Sequence, residues 1–381
     1  MILVINFIKM TTVFQITSRP ILILSKCIGL IDISYIVEPT GLLVYNINST
    51  FHVFLEITRM IVLTICTFIY FKQFDQDFWI VIIAARLSTI QIIKLINGYI
   101  EFDRKIKTLS RNLMIPQRSW KKIHWDTIFI SILAYFILFK FFKFYLLHSK
   151  IENIQLLVHH AIFTPPYLMD YVVTITSCFF LQNIYVRFQT LNDIWKCLPA
   201  DLVAVSDQWT HNEIVGAMEN TRLLHSELCE LLKMFTLGYG PLLLCFFTSS
   251  FLCMLLSFYF VINIGSIIVI QSTKNYLNRI ISLIVHVQIV TFLMFVIIFV
   301  SMINQKRLEI ISYLRSYRIS NLHLDIKRQI KMFMNQISAC DSDQISAYGF
   351  FDINLNLVTT IIWNNHTDTD EKSHIDIEIK Q

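Results

Sequence analysis

In this chain of 381 residues, 55% of the side chains are hydrophobic and 15% are charged. With a mean hydropathy of +0.57, it falls outside the range of soluble domains, which carry about 25% charged residues. The length would accommodate two soluble domains, but no polar stretch is long or apolar enough to bury a second core, so one polytopic, all-α membrane domain is expected. The net charge of +5 could suit an acidic partner. However, the basic residues cluster where membrane topology needs them. The eight cysteines are scattered and never at C-x-x-C spacing, which indicates neither a zinc site nor a disulfide framework. With eight glycines and no His-Glu-x-x-His, phosphate loop or Gly-x-Ser-x-Gly, nothing points to an enzyme or a cofactor.

The chain opens with residues 1–49, expected to be a cytoplasmic N-terminal segment. Its start, Met1-Ile-Leu-Val-Ile, has no preceding basic residue and no small-residue cleavage site, so a removed signal peptide is not expected; Met10 is an alternative start. Spans are then expected at about 50–71, with Glu56 and Arg59, at 78–99, with Arg86 and Lys94, and at 127–147, with Lys140 and Lys143. The fourth, about 157–186, contains Asp170 and the kinking pair Pro165-Pro166. Pro241 to Ile270 is free of charge for 30 residues and Ile280 to Ile303 for 24, which places the fifth and sixth spans at 241–262 and 280–303.

Residues 304–345 follow as a cytoplasmic amphipathic helix, 346–363 as a short terminal helix and 364–381 as a polar tail. Ile353 to Trp363 is 11 residues, about 16 Å of helix against a bilayer core of about 30 Å. That helix cannot span alone.

Charge sets the expected orientation. Glu101 to Trp125 holds seven Lys or Arg, and Lys306 to Lys331 another seven. By the positive-inside rule both are cytoplasmic, with the N-terminus inside. A G-protein-coupled receptor would place them outside. The stripes Leu224, Leu228, Leu231, Phe235 and Ile326, Ile330, Phe333, Ile337 have helical spacing. They are expected either to pack within the subunit or at the membrane surface, or to pack against partner subunits.

Several stretches are similar to the insect gustatory receptor family, part of a superfamily shared with insect odorant receptors. These are Arg19-Pro with Gly29-Leu30, Arg187-Phe-Gln-Thr-Leu-Asn192, His225-Ser-Glu-Leu-Cys-Glu-Leu with Gly238-Tyr-Gly-Pro, and a terminal block of Gln336, Ser346, Ala347, Gly349, Phe350, Phe351 and Asn354. The resemblance implies a tetrameric ligand-gated cation channel in the plasma membrane, with a cytoplasmic N-terminus. Its last helix lines the pore, and a pocket in the outer half of the other helices takes a small-molecule tastant. The family's closing Thr-Tyr…Gln-Phe is absent here, replaced by a tail containing Asp368, Asp370, Glu371 and Lys372. A non-conducting isoform and an odorant receptor are therefore alternatives. A secondary transporter is disfavoured because no inverted repeat or pair of broken helices is visible. Asn365-His-Thr367 is a glycosylation candidate if the tail is outside.

Ionisable groups inside spans are functional candidates by default. Arg86, Lys140 and Asp170 qualify, although a structural ion pair of Asp170 with Arg86 or Lys140 is the competing reading. Polar and aromatic residues of the outer half, Tyr145, His159, His160, Tyr167, Tyr259, His286 and Gln288, suit a small hydroxylated or alkaloid-like ligand. For any one of them, ordinary helix packing is the simpler alternative.

Overall fold

A computed structural model describes residues 20–26, 29–31, 35–38, 42–45, 50–71, 76–112, 127, 130–139, 141–142, 165–196, 210–267, 273–316, 322–340 and 353. Residues 20–26 are helical, and Gly29 ends the turn. The Leu30 N–H donates to the Ser25 carbonyl at 2.9 Å and the Gly29 N–H to the Lys26 carbonyl at 3.2 Å, the paired bonds of a Schellman stop. Gly29 has a φ of 99°, which a side chain would resist. The Gly29-Leu30 pair is thus a helix terminator.

A feature absent from the all-α expectation follows. β1 (Tyr35–Val37) pairs antiparallel with β2 (Leu43–Tyr45), Ile36 opposite Val44. Three-residue strands carry almost no periodic signal, and an isolated two-stranded hairpin is marginal in water. Here it is held from outside: the Leu43 N–H donates to Asn97 Oδ1 at 2.8 Å, and Asn97 Nδ2 donates to the Leu43 carbonyl at 2.9 Å. One amide side chain serves as the next strand.

The helices α1 (Thr50–Phe71), α2 (Gln76–Asn112), α3 (Pro165–Lys196), α4 (His211–Ile267), α5 (Thr273–Ser316) and α6 (Leu324–Cys340) form the bundle. Pro165 and Pro166 stand in the first turn of α3, where a missing N–H costs nothing. α2 runs on past the expected span into the basic stretch. α4 has 57 residues and α5 has 44, about 85 Å and 66 Å of helix against a bilayer core of about 30 Å. The stretch before Pro241, whose Leu224 stripe has helical spacing, is the first half of one continuous helix.

Among the described residues, Val81–Leu109, His211–Leu252 and Val290–Arg315 are long and apolar enough to cross a membrane, and Ile130–Phe139 is a shorter apolar helix. The outward faces show where lipid ends. On α2, Ile83, Leu87 and Ile90 are exposed, then Arg104, Lys105 and Lys107; on α4, going the other way, Glu230 and Lys233 give way to Phe251, Leu252 and Leu255. A surface that is apolar at one level and charged at the next is that of a bundle leaving a bilayer.

α2 packs antiparallel along α4, and α3 lies between α4 and α5. The α2–α4 approach needs small residues: a Cβ on Gly98 would lie 2.4 Å from Leu231 Cδ2, and one on Gly238 would lie 3.3 Å from the Ile92 backbone nitrogen. The main core runs through α2, α3, α4 and α5. A second, smaller core gathers Trp195, Ile214, Met218, Ile310 and Leu314 around Ile326, Ile330, Phe333 and Ile337 of α6. Both amphipathic stripes are thus buried within the chain itself, which is the intrasubunit reading. Neither is left over as an apolar face for a partner subunit.

Candidate outer-half ligand site

The wall of the site is aromatic. Tyr135 packs edge-on to Phe292 with centroids 6.1 Å apart, and Phe136 stacks on Tyr171 at 4.4 Å. These contacts join the Ile130–Phe139 helix to α5 and α3. From Tyr171 to Leu181 every side chain of α3 is buried. Four polar residues of α3 and α5 nevertheless have no hydrogen-bond partner among the described residues: the Tyr171 hydroxyl, Thr174 Oγ1, Ser177 Oγ, and both amide atoms of Gln288. Gln288 is 1% exposed and Thr174 fully buried. Thr176, by contrast, donates to the Val172 carbonyl at 2.7 Å, the usual refuge of a helical hydroxyl.

Two of these side chains stand on helices that pack against each other. Asn192 Nδ2 donates to the Lys306 carbonyl at 2.8 Å, locking α3 to α5. Thr174 precedes Asn192 by 18 residues, and Gln288 precedes Lys306 by 18. Eighteen residues is five full turns, about 27 Å, and the two helices run parallel and pack along their length. Thr174 and Gln288 thus each lie five turns before the α3–α5 link, on two helices that pack against each other. A buried polar atom left unpaired costs about 1–3 kcal/mol, so such a set calls for a water, an ion or a ligand.

Of the residues selected from sequence, Gln288 belongs to this set. Arg86 does not stand open: its Nη2 donates to Glu56 Oε1 of α1, which also accepts from Arg59 Nη2. Arg59 Nη1 further donates to the Lys26 and Ile31 carbonyls, so the cluster ties α1, α2 and the N-terminal turn together. Arg86 thus has Glu56 as a partner. Tyr259 is 63% exposed on α4. Tyr167, Asp170 and His286 are helical, but their side chains lie outside the described residues, as do Lys140, Tyr145, His159, His160, Ser346, Ala347, Gly349, Phe350, Phe351, Asn354 and Asn365 altogether. Ile353 is buried in the main core. Gln336 cross-links α6 to α4, accepting from Arg222 Nη1 at 2.8 Å and donating to the Arg222 carbonyl at 3.0 Å.

Sequence reading missed Tyr171, Thr174 and Ser177, because small hydroxyls in an apolar run look like filler. It did not select Asp103 either. Arg187 has no exposed side-chain surface and donates through Nη2 to Asp103 Oδ2 at 2.8 Å, with its guanidinium 4.4 Å above the Tyr99 ring. The signal was the Arg187-Phe-x-x-Leu-Asn192 stretch: Arg187 bonds α2, and Asn192 bonds α5.

The family model described as 7tm Chemosensory receptor matches residues 18–363. The chain belongs to this receptor family. A comparison with curated proteins finds no match. This chemosensory receptor is a multi-pass helical membrane protein, and the buried polar set belongs to its α3 and α5 helices. A surface groove beside Leu308, Ile311, Ser312 and Arg315 lies at the charged end of α5, remote from that set.

Proposed function

We propose that this receptor is a gustatory receptor subunit that binds a small soluble tastant between α3 and α5. It acts as one subunit of a tetrameric ligand-gated cation channel in the plasma membrane, with its N-terminus in the cytosol. The observation that carries the ligand site is the buried Gln288 amide of α5, unpartnered among the described residues, with the equally unpartnered Thr174 on α3, the helix packed against it. An amide offers two donors and two acceptor positions. With the Tyr171 and Thr174 hydroxyls beside it and Phe136 and Phe292 as walls, the site suits a compact ligand that has ring or hydrocarbon faces and two or more hydroxyl or amine groups. The resemblance of the terminal block Gly349-Phe350-Phe351 supports the gustatory rather than the odorant branch.

Cells expressing the receptor, screened with sugars, polyols and alkaloids by calcium imaging, test this reading. For whichever class evokes a response, Gln288→Leu and Thr174→Val should raise the half-maximal concentration about tenfold, the equivalent of one hydrogen bond of about 1.4 kcal/mol, at unchanged surface expression. A ligand response that is indifferent to both substitutions would remove the site.

A further inference from the structure

At the far end of the molecule, two histidines and a carboxylate from separate parts of the chain converge. His211 is the first residue of α4, His323 immediately precedes α6, and Asp325 is in the first turn of α6. Asp325 Oδ2 lies 3.4 Å from His323 Nδ1 and 3.7 Å from His211 Nε2. The three ligand atoms all lie within 4.8 Å of one another, and the two imidazoles meet edge to face with centroids 4.5 Å apart.

Both helix starts are fixed by their own hydrogen bonds. Glu213 Oε2 accepts from the Thr210 N–H at 2.7 Å and the Thr210 hydroxyl at 2.9 Å, a capping box that sets the first turn of α4. The His323 carbonyl accepts from the Lys327 N–H at 3.0 Å, making His323 the N-cap of α6. The ligand-bearing backbones are therefore in place before any ion arrives.

An exposed His323–Asp325 ion pair accounts for the shorter distance. It does not account for His211 Nε2, which is shielded from solvent and has no hydrogen-bond partner among the described residues, since 3.7 Å to Asp325 is too long for one. Donors around a tetrahedral zinc, each about 2.0–2.2 Å from the metal, stand about 3.3–3.5 Å apart. The two carboxylate–imidazole spacings, 3.4 and 3.7 Å, are close to that, and the two imidazole donors lie within 4.8 Å of each other. We propose that His211, His323 and Asp325 bind a divalent transition-metal ion, zinc by the chemistry of two imidazoles and one carboxylate, with a fourth position open to water. Two helix N-termini point at the site and oppose a cation, and the Asp325 carboxylate offsets them. The bound ion would clip α4 to α6 and so tie down the smaller core.

The test uses the full receptor purified in detergent, stripped with a chelator and titrated with zinc against a chromophoric competitor. The chain has 11 histidines and eight cysteines, so the difference between variants is the readout. His323→Gln and Asp325→Asn, both at exposed positions, should each weaken one zinc site per chain by about tenfold or more, as removal of a supporting or direct ligand does. His211→Gln should do the same, and cobalt should give a visible ligand-field band that the variants lose. No competitive zinc binding by the wild-type receptor, or equal binding and an equal cobalt band in His323→Gln and Asp325→Asn, would overturn the site. Should His211→Gln fail to fold, those two variants decide it.

Discussion

His225 is fully buried in the N-terminal half of α4, about 24 Å of helix before Pro241, edge-on to Phe188 and Phe333 and 3.7 Å from Cys229 Sγ. Burial, with the Arg307 charge adding to it, pushes its pKa down from 6.5 to about 3. The unfolded chain then takes up a proton near pH 6.5 that the folded chain refuses until about pH 3. Stability is therefore complete above pH 6.5 and falls as the pH drops through that window, by at most about 1.4 kcal/mol per unit. Melting curves between about pH 5 and pH 7.5 should slope less for His225→Phe than for wild type; parallel profiles would exclude His225 as the sensor. Arg187 makes a second residue-scale prediction. Arg187→Ala strands the Asp103 carboxylate in a site that is 15% exposed, and should cost about 3–5 kcal/mol. Detergent melting should show it, with part of the loss restored by adding Asp103→Asn.

Among the elements, α6 is the one whose identity depends most on its neighbours. It is only 17 residues long, and most helical stability comes from packing rather than propensity. Its Phe333 ring meets Trp195 at 5.5 Å and His225 at 5.3 Å. Phe333→Ala should cost about 3–5 kcal/mol, whereas Met332→Ala, at a 40% exposed position of the same helix, should stay within about 0.5 kcal/mol. Equal melting shifts for the two would mean that α6 does not belong to the core. Between α2 and α4, Gly238→Ala would bring a Cβ to 3.2 Å from Ile92 Cγ1 and 3.3 Å from its backbone nitrogen. A backbone atom cannot step aside, so a loss of about 1–3 kcal/mol is expected in the same assay.

For the molecule as a whole, the hydrogen bonds between Leu43 and Asn97 place the chain just before α1 beside the charged end of α2. The start of α1 and the end of α2 must then lie on one side of the membrane, independently of any charge count. Seven basic residues follow Glu101, so by the positive-inside rule that side is expected to be the cytosol. Accessibility tags inserted before Thr50 and after Asn112 should both be protected in intact cells and both labelled after permeabilisation. Labelling of either one in intact cells would reverse the orientation proposed.

Patterns local in the chain were readable from the residues alone. Charge-free runs such as Ile280 to Ile303 can only be stable inside a bilayer or a core, and the stripes at Leu224 and Ile326 have a period that only a helix satisfies. These determined a helical membrane protein, and the order of weak motifs pointed to its family. Pairing over distance was not readable. Asp103 and Arg187 are 84 residues apart, and nothing in either neighbourhood names the other. The same holds for Arg86 and Glu56, for Asn97 and the hairpin, and for His211 and His323. Whether an amphipathic stripe meets its own chain or another depends on where the chain returns, and α4, α5 and α6 return to one another. A buried glutamine such as Gln288 could be chosen from sequence as polar in an apolar span. That its helix packs against α3, with Asn192 bonding the Lys306 carbonyl across the two, was decided only by the tertiary structure.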